Sequence, residues 1–331
     1  MIVDSLDSML IEGITIFLFV LLLAVGIIIG YSRSLFAAVM LSGIFSLLSA
    51  ALFVVMDAVD VAFTEAAVGA GISTVLMMIT LWLTTDRESN VQKENVFPLV
   101  VSLITGGALL YATQDMPEFG SVDAHIHTSK TAEHYVQKSY DDSHIPNIVT
   151  TVLASYRGYD TLGETTVVFT AAIAVMMLLG RKEDRKNVLK YVKRDDIGIV
   201  GAKLLIPYIL LFALYVQFHG DFGPGGGFQA GVMFAAAFIL HSLVGRIKDT
   251  QKAISPVVIE KLIPLGVLIY AATGIWCMVK GGKFLEYNVL DPEHPAHGQH
   301  LGILLVEAGV GITVFSAMLA LFFTFAMRGR K

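Results

Sequence analysis

His219-Gly220-Asp221-Phe222-Gly223-Pro224-Gly225-Gly226-Gly227-Phe228-Gln229-Ala230-Gly231 lies between two long apolar runs. Six of these thirteen residues are glycine and one is proline. A regular helix does not survive that composition. Relative to alanine, glycine costs about 1 kcal/mol and proline about 3 kcal/mol in a helix interior. A bilayer tolerates irregular backbone only where protein or a water-filled cavity satisfies its N–H and C=O groups. The stretch is therefore either a tight hairpin or a built site. Gly225, Gly226 and Gly227 read as the lead-in to the next helix, with Pro224 ahead of them. His219 and Asp221 are its polar candidates for contact with an ion path.

The residues on either side decide the class. The chain of 331 residues is 55% hydrophobic and 15% charged, with a mean hydropathy of +0.70. That balance belongs to membrane proteins. One cysteine, Cys277, excludes a disulfide framework and a self-contained thiolate metal or iron–sulfur site. The formal charge of −5 gives no sign of nucleic-acid binding. The acidic start, Met1 to Asp7, has no basic region ahead of the first apolar run, so that run reads as a retained span rather than a cleaved signal.

A spanning helix needs about 20 mostly apolar residues. Nine stretches qualify: 10–31, 34–56, 61–84, 96–112, 161–180, 198–218, 227–245, 257–279 and 301–327. The expected fold is an all-α polytopic bundle. With the N-terminus out and the C-terminus in, seventeen of the 23 Lys and Arg residues fall in inside loops and five in outside loops. The positive-inside rule favours that orientation. A polar outer loop, 113–147, carries His125, His127, His134 and His144. Pro146 then opens a short amphipathic stretch, 148–156, that reads as interfacial. Residues 181–197 form a basic inner linker. The chain divides into 1–95 with three spans, 96–180 with two, and 198–331 with four.

Ionisable groups at membrane depth are expensive, at about 2.5–3.5 kcal/mol each on insertion scales. Glu65 lies near the outer start of the third span among Ala66, Ala67, Gly69, Ala70 and Gly71. Small neighbours allow close packing around a buried charge. Glu164 lies at the outer start of the fifth span, where a carboxylate also favours the helix dipole. Lys203 is about one turn into the sixth, His241 near the inner end of the seventh, and Glu307 about two turns into the ninth. Glu65, Glu164, Lys203, Glu307 and His241 are the candidates for a proton or cation path. The competing reading for each is a headgroup position, a snorkelling side chain or a static pair. Glu260 and Lys261 read as interfacial.

His294, His297 and His300 have a spacing that suits a metal, but Pro295 and Gly298 argue against one helix presenting all three. No metal site is assigned, there or at His125 and His127. The glycine run lacks the Gly-Lys-Ser/Thr ending of a phosphate loop, and no nucleophile–base motif stands out.

Three stretches resemble known families. The glycine stretch 219–231 resembles the signature of the B subunit of Mrp-type multisubunit cation/proton antiporters. Phe63-Thr64-Glu65-Ala66-Ala67-Val68-Gly69-Ala70-Gly71-Ile72-Ser73-Thr74 is similar to the C-terminal end of the Mrp A subunit, which also occurs as the D subunit of membrane-bound hydrogenases. Val152-Leu153-Ala154-Ser155-Tyr156-Arg157-Gly158-Tyr159-Asp160-Thr161-Leu162-Gly163-Glu164-Thr165-Thr166 resembles the E subunit of the same hydrogenases. The resemblance implies a membrane component of a large assembly related to respiratory complex I, in a bacterial inner membrane. It implies exchange of sodium for protons, a role for Glu65 and Glu164 in ion transfer, and no cofactor. The long antiporter-like domain of a full Mrp A protein is absent from this sequence and is expected from another chain, among other Mrp-type partner subunits. The rival readings are an ion-pumping component of a hydrogenase-like redox complex, and a structural component that does not conduct.

Overall fold

The computed structural model describes residues 2–87, 96–118, 120–179, 196–245 and 247–327. Most of the basic linker, 181–195, lies outside them, as do Lys93, Arg246, Arg328, Arg330 and Lys331. The described residues form helices in the order α1 Ile2–Tyr31, α2 Leu35–Val55, α3 Val59–Glu65, α4 Thr74–Leu83, α5 Val96–Ala112, α6 His125–Thr128, α7 Lys130–Ser143, α8 Ile148–Thr150, α9 Gly158–Leu179, α10 Asp196–His219, α11 Gly227–Val244, α12 Ile247–Ala253, α13 Pro256–Val279 and α14 Pro295–Ala326. Nine stretches among them are long and apolar enough to cross a bilayer, each close to an expected span. The chain is a multi-pass membrane protein.

Local chemistry explains where the helices begin. Ser34 caps α2, its Oγ accepting from the Ala37 N–H at 3.3 Å. Ser255 caps α13 with Pro256 in the first turn, where a missing N–H costs nothing. The third span is two α-helices joined by a π-helical segment, Ala66–Ser73. Hydroxyls serve the widened turn: Ser73 and Thr74 both donate to the Gly69 carbonyl, at 2.7 and 3.2 Å. A second π-helical segment, Thr151–Tyr156, follows α8 and leads to α9.

The ninth span is longer than its apolar run. Pro295 does not interrupt it but occupies its first turn, and Gly298 is helical and buried against the Tyr287 backbone. Glu307 thus lies about three turns into the helix, rather than two.

α14 is the hub, and the core runs along it. Ile303, Val306, Val314, Leu319 and Phe322 are all essentially inaccessible. On one side α13 packs against it where Gly266 meets Gly309; a Cβ on either would run into the other's carbonyl. On another side α11 approaches so closely that a Cβ on Gly227 would run into the Glu307 carbonyl. Small residues permit such backbone approach in membranes, where dispersion and hydrogen bonds replace the hydrophobic drive. Thr313 adds a hydrogen bond to the Ile263 carbonyl at 3.1 Å. Tyr270 of α13 reaches α9 by donating to the Gly158 carbonyl at 2.8 Å. At the periphery α5 buries none of its residues. Its apolar sides, including Leu103, Ile104 and Leu110, are free for lipid or a neighbouring protein.

The stretch 148–156 packs one side into the protein and leaves Ile148, Val149 and Leu153 exposed on the other. Thr150, Thr151 and Ala154 are buried. Polar groups of this stretch are used inside the protein: Ser155 donates to Gln299 Oε1 at 2.9 Å, and the Ala154 carbonyl accepts from the Tyr287 hydroxyl at 2.9 Å.

Gly227→Ala tests the close approach of α11 to α14. Overpacking of a tight contact costs about 1–3 kcal/mol, so the purified chain should unfold at a clearly lower temperature by circular dichroism. Gly163→Ala, at a glycine with open space around it, should leave the melt unchanged.

Candidate functional site

The glycine turn between α10 and α11 is held from three directions. Gly226 has φ +119° and precedes α11, a conformation that side chains other than glycine's rarely adopt. Its N–H donates to the Val216 carbonyl at 3.1 Å. Asn147 clamps the turn: its amide donates to the carbonyls of Gly220 and Gly223, each at 3.0 Å. Its Oδ1 caps α8 by accepting from the Val149 N–H at 3.0 Å. Thr150 donates to the same Gly220 carbonyl at 2.7 Å. From the third span, Asp60 Oδ1 accepts from the Gly225 N–H at 3.2 Å. Buried backbone groups that would otherwise lack partners are thereby satisfied.

Beneath this turn lies a cavity of about 560 Å3. Asp60 and Thr64 of α3, Glu164 of α9 and Glu307 of α14 line it, with Gly225, Gly226, Gly227 and Gln229 from the turn and α11. Thr150, Thr161 and Thr165 add hydroxyls, and the remaining walls are apolar, from Val61, Val149, Leu153, Val168, Phe228, Val306 and Val310 among others. Three carboxylates therefore share one space, and among the described residues no Lys, Arg or His lines it. Glu164 is exposed, whereas Asp60 and Glu307 are half-buried. The Glu307 carboxylate lies directly against the turn, where a Cβ on Gly226 would stand 3.1 Å from Oε1 and one on Gly220 would stand 3.2 Å from Oε2. Gln229 braces the wall by donating to Thr64 Oγ1 at 3.0 Å, and Thr64 in turn donates to the Asp60 carbonyl at 3.0 Å.

The sequence candidates divide accordingly. Glu164 and Glu307 line the cavity, with Gly225, Gly226 and Gly227. Glu65 does not; its Oε1 lies over Gly69 on the side of the helix that meets Ser46 of α2. Lys203 is exposed on the side of α10. His241 is fourteen residues along α11 from Gly227, roughly 21 Å at 1.5 Å per residue. Its Nδ1 is 2.6 Å from Thr250 Oγ1. His219 stacks on Tyr215, with ring centroids 4.7 Å apart. Asp221 pairs with His300 Nδ1 at 2.8 Å, tying the turn to α14. Pro224 is exposed. Sequence reading missed Asp60, Gln229 and Asn147 as working residues. Asp60 falls one residue before the apolar run taken as the third span. Its available signal was the spacing to Thr64, one helical turn on.

Known proteins match the chain throughout. A family model described as a domain related to the MnhB subunit of the Na+/H+ antiporter matches residues 197–320. Models for the D and E subunits of the membrane-bound hydrogenase match residues 20–86 and 101–195. A Staphylococcus epidermidis protein named as putative antiporter subunit mnhB2 is 35% identical over 133 residues, covering 37% of this chain and 94% of that protein. The chain belongs to the Mrp/Mnh family of antiporter subunits. A Rhizobium meliloti protein named as a probable K+/H+ antiporter A/B subunit is 25% identical across 85% of this chain, which spans only 31% of that relative. The structure of the Mrp complex from Dietzia sp. contains a chain that superposes with a TM-score of 0.76 at 25% identity. It covers 95% of this chain, which spans 34% of it. A chain of the membrane-bound sulfane sulfur reductase, an archaeal respiratory membrane complex, superposes with a TM-score of 0.56 at 31% identity, over 68% of this chain and 95% of its own.

Asn147→Ala would leave two carbonyls of the turn without that donor. A hydrogen bond contributes about 0.5–1.5 kcal/mol net, so amide hydrogen exchange over residues 220–226 should accelerate several-fold, while α13 keeps its protection.

Proposed function

We propose that this Mrp/Mnh family chain is the ion-path component of a multisubunit monovalent cation/proton antiporter, with sodium as the cation, in a bacterial inner membrane. In this reading its N-terminus is outside and its C-terminus inside. Other Mrp-type subunits, among them an antiporter-like one, are its partners. Its activity is transport rather than covalent turnover. The division of labour in the chain follows the three family segments: 1–95 and 96–180 hydrogenase D- and E-like, 198–331 B-like.

The observation that carries the reading is the cavity lined by Asp60, Glu164 and Glu307 with no basic side chain among the described lining residues. Charges in apolar surroundings need a counter-charge. Here the protein supplies none from the lining, so a proton or a monovalent cation is the natural occupant. Carboxylate and hydroxyl oxygens suit a hard cation such as sodium over a soft one. Glu164 then receives the ion at the exposed side and Glu307 holds it against the glycine turn. Glu65, five residues beyond Asp60, carries the path to the side of the third span that faces α2.

Exchange in inside-out vesicles containing the assembled complex tests this. Glu307→Gln and Glu164→Gln should each lower sodium-driven proton movement at least about tenfold, equivalent to about 1.4 kcal/mol in barrier height. Glu65→Gln should lower it too, and Lys203→Gln much less. Normal exchange by an assembled Glu164→Gln/Glu307→Gln complex would sink the assignment and leave the chain with a structural role.

The likeness to a chain of the archaeal sulfane sulfur reductase favours one rival. There the same path would be driven by electron transfer. Purification from native membranes separates the two: co-purifying antiporter-like chains support exchange, whereas iron–sulfur proteins would replace it with redox pumping.

A further inference from the structure

The turn before α14 and the first turn of that helix hold a cluster that the carboxylate cavity does not use. Asp291, His294 and His297 each offer one ligand atom, and these atoms lie within 4.8 Å of one another. Asp291 Oδ2 is 3.8 Å from His297 Nδ1. The other Asp291 oxygen, Oδ1, accepts from the His294 N–H at 3.2 Å, which orients the carboxylate. The two imidazoles lie side by side, with centroids 5.2 Å apart and planes 21° from parallel. Pro295 and Gly298, which in the sequence argued against helical presentation, are both within α14. His294 and His297 are thus one helical turn apart at the cap of a long helix and point the same way.

The base under the cluster is rigid. Tyr287 and Leu290 are buried, and the Tyr287 hydroxyl is anchored on the Ala154 carbonyl at 2.9 Å. The upper side is open, with the His297 side chain 72% exposed and that of Asp291 36% exposed. His300 is not part of this cluster; its Nδ1 is paired with Asp221. The sequence pattern of three histidines therefore resolves into two histidines and an aspartate.

We propose that Asp291, His294 and His297 form a binding site for a divalent transition-metal ion of the zinc class. Two imidazole nitrogens and one carboxylate oxygen are ligands that zinc takes at about 2.0–2.2 Å, and a three-residue set leaves the fourth tetrahedral position for water. Ligand atoms around such an ion stand roughly 3.4 Å apart. The Asp291–His297 separation is already near that value, and rotation of the exposed imidazoles closes the rest. Calcium and magnesium, which prefer six or more oxygens, do not suit this set. A bound ion would join the Tyr287–Asp291 turn to the head of α14. The next residue inward on the same face of that helix, His300, holds the glycine turn.

The test is zinc titration of the purified, metal-stripped full chain by isothermal calorimetry, with zinc-edge X-ray absorption on the loaded protein. One site with two imidazole scatterers is expected. His294→Ala/His297→Ala should weaken binding at least about tenfold, and His125→Ala/His127→Ala should not. Asp291→Asn, which keeps an acceptor for the His294 N–H, should also weaken it and so separates loss of a ligand from loss of fold. Unaltered zinc binding by His294→Ala/His297→Ala, or an equal loss in His125→Ala/His127→Ala, would overturn the site, as would no uptake by the wild-type chain at millimolar zinc.

Discussion

The close approach of α14 to its two neighbours is the constraint on which the rest of the structure depends. Gly266 against Gly309 brings α13 in, and Gly227 against the Glu307 carbonyl brings α11 in. With backbones this near, there is no room for a side chain between them. The packing is then set by shape rather than by apolar burial, since lipid offers apolar contacts just as readily. The same contact has a second effect. The first residue of α11 rests on the backbone of Glu307, so the glycine turn before it must pass directly over that residue's carboxylate. Fold and site are one arrangement here.

The turn itself would be costly if left alone. Its carbonyls and N–H groups sit within a membrane protein and must find partners. They find them in Asn147 and Thr150, which lie in the E-like segment, and in Asp60, from the D-like segment. The B-like segment is therefore completed by residues from the two segments before it.

The acidic candidates show what a charge at membrane depth does and does not reveal. Glu164 and Glu307 stand out in the sequence because each interrupts an apolar run, and both line the cavity. Glu65, Lys203 and His241 stand out for the same reason and are elsewhere: toward Ser46, on the exposed side of α10, and near the far end of α11. The spans are apolar nearly all round, so the sequence carries little information about which way each is rotated. Asp60 is the converse case. It sits at the edge of its run, where a carboxylate looks interfacial, and only the turn it binds gives it another meaning.

The sequence by itself determined the nine apolar stretches that appear as spans among the described residues, with the start of the ninth the main boundary it missed, and the family, because hydropathy and the glycine-rich signature are properties of single stretches. It also determined that the run 219–231 breaks two helices, since glycine and proline act on their own backbone. Only the tertiary structure decided that Asp60, Glu164 and Glu307 share one cavity, that Asn147 clamps the turn, and that Pro295 begins a helix instead of stopping one. Those facts depend on how helices are rotated and how near they come. That is fixed by contacts between residues up to about two hundred and fifty positions apart, and no local pattern records it.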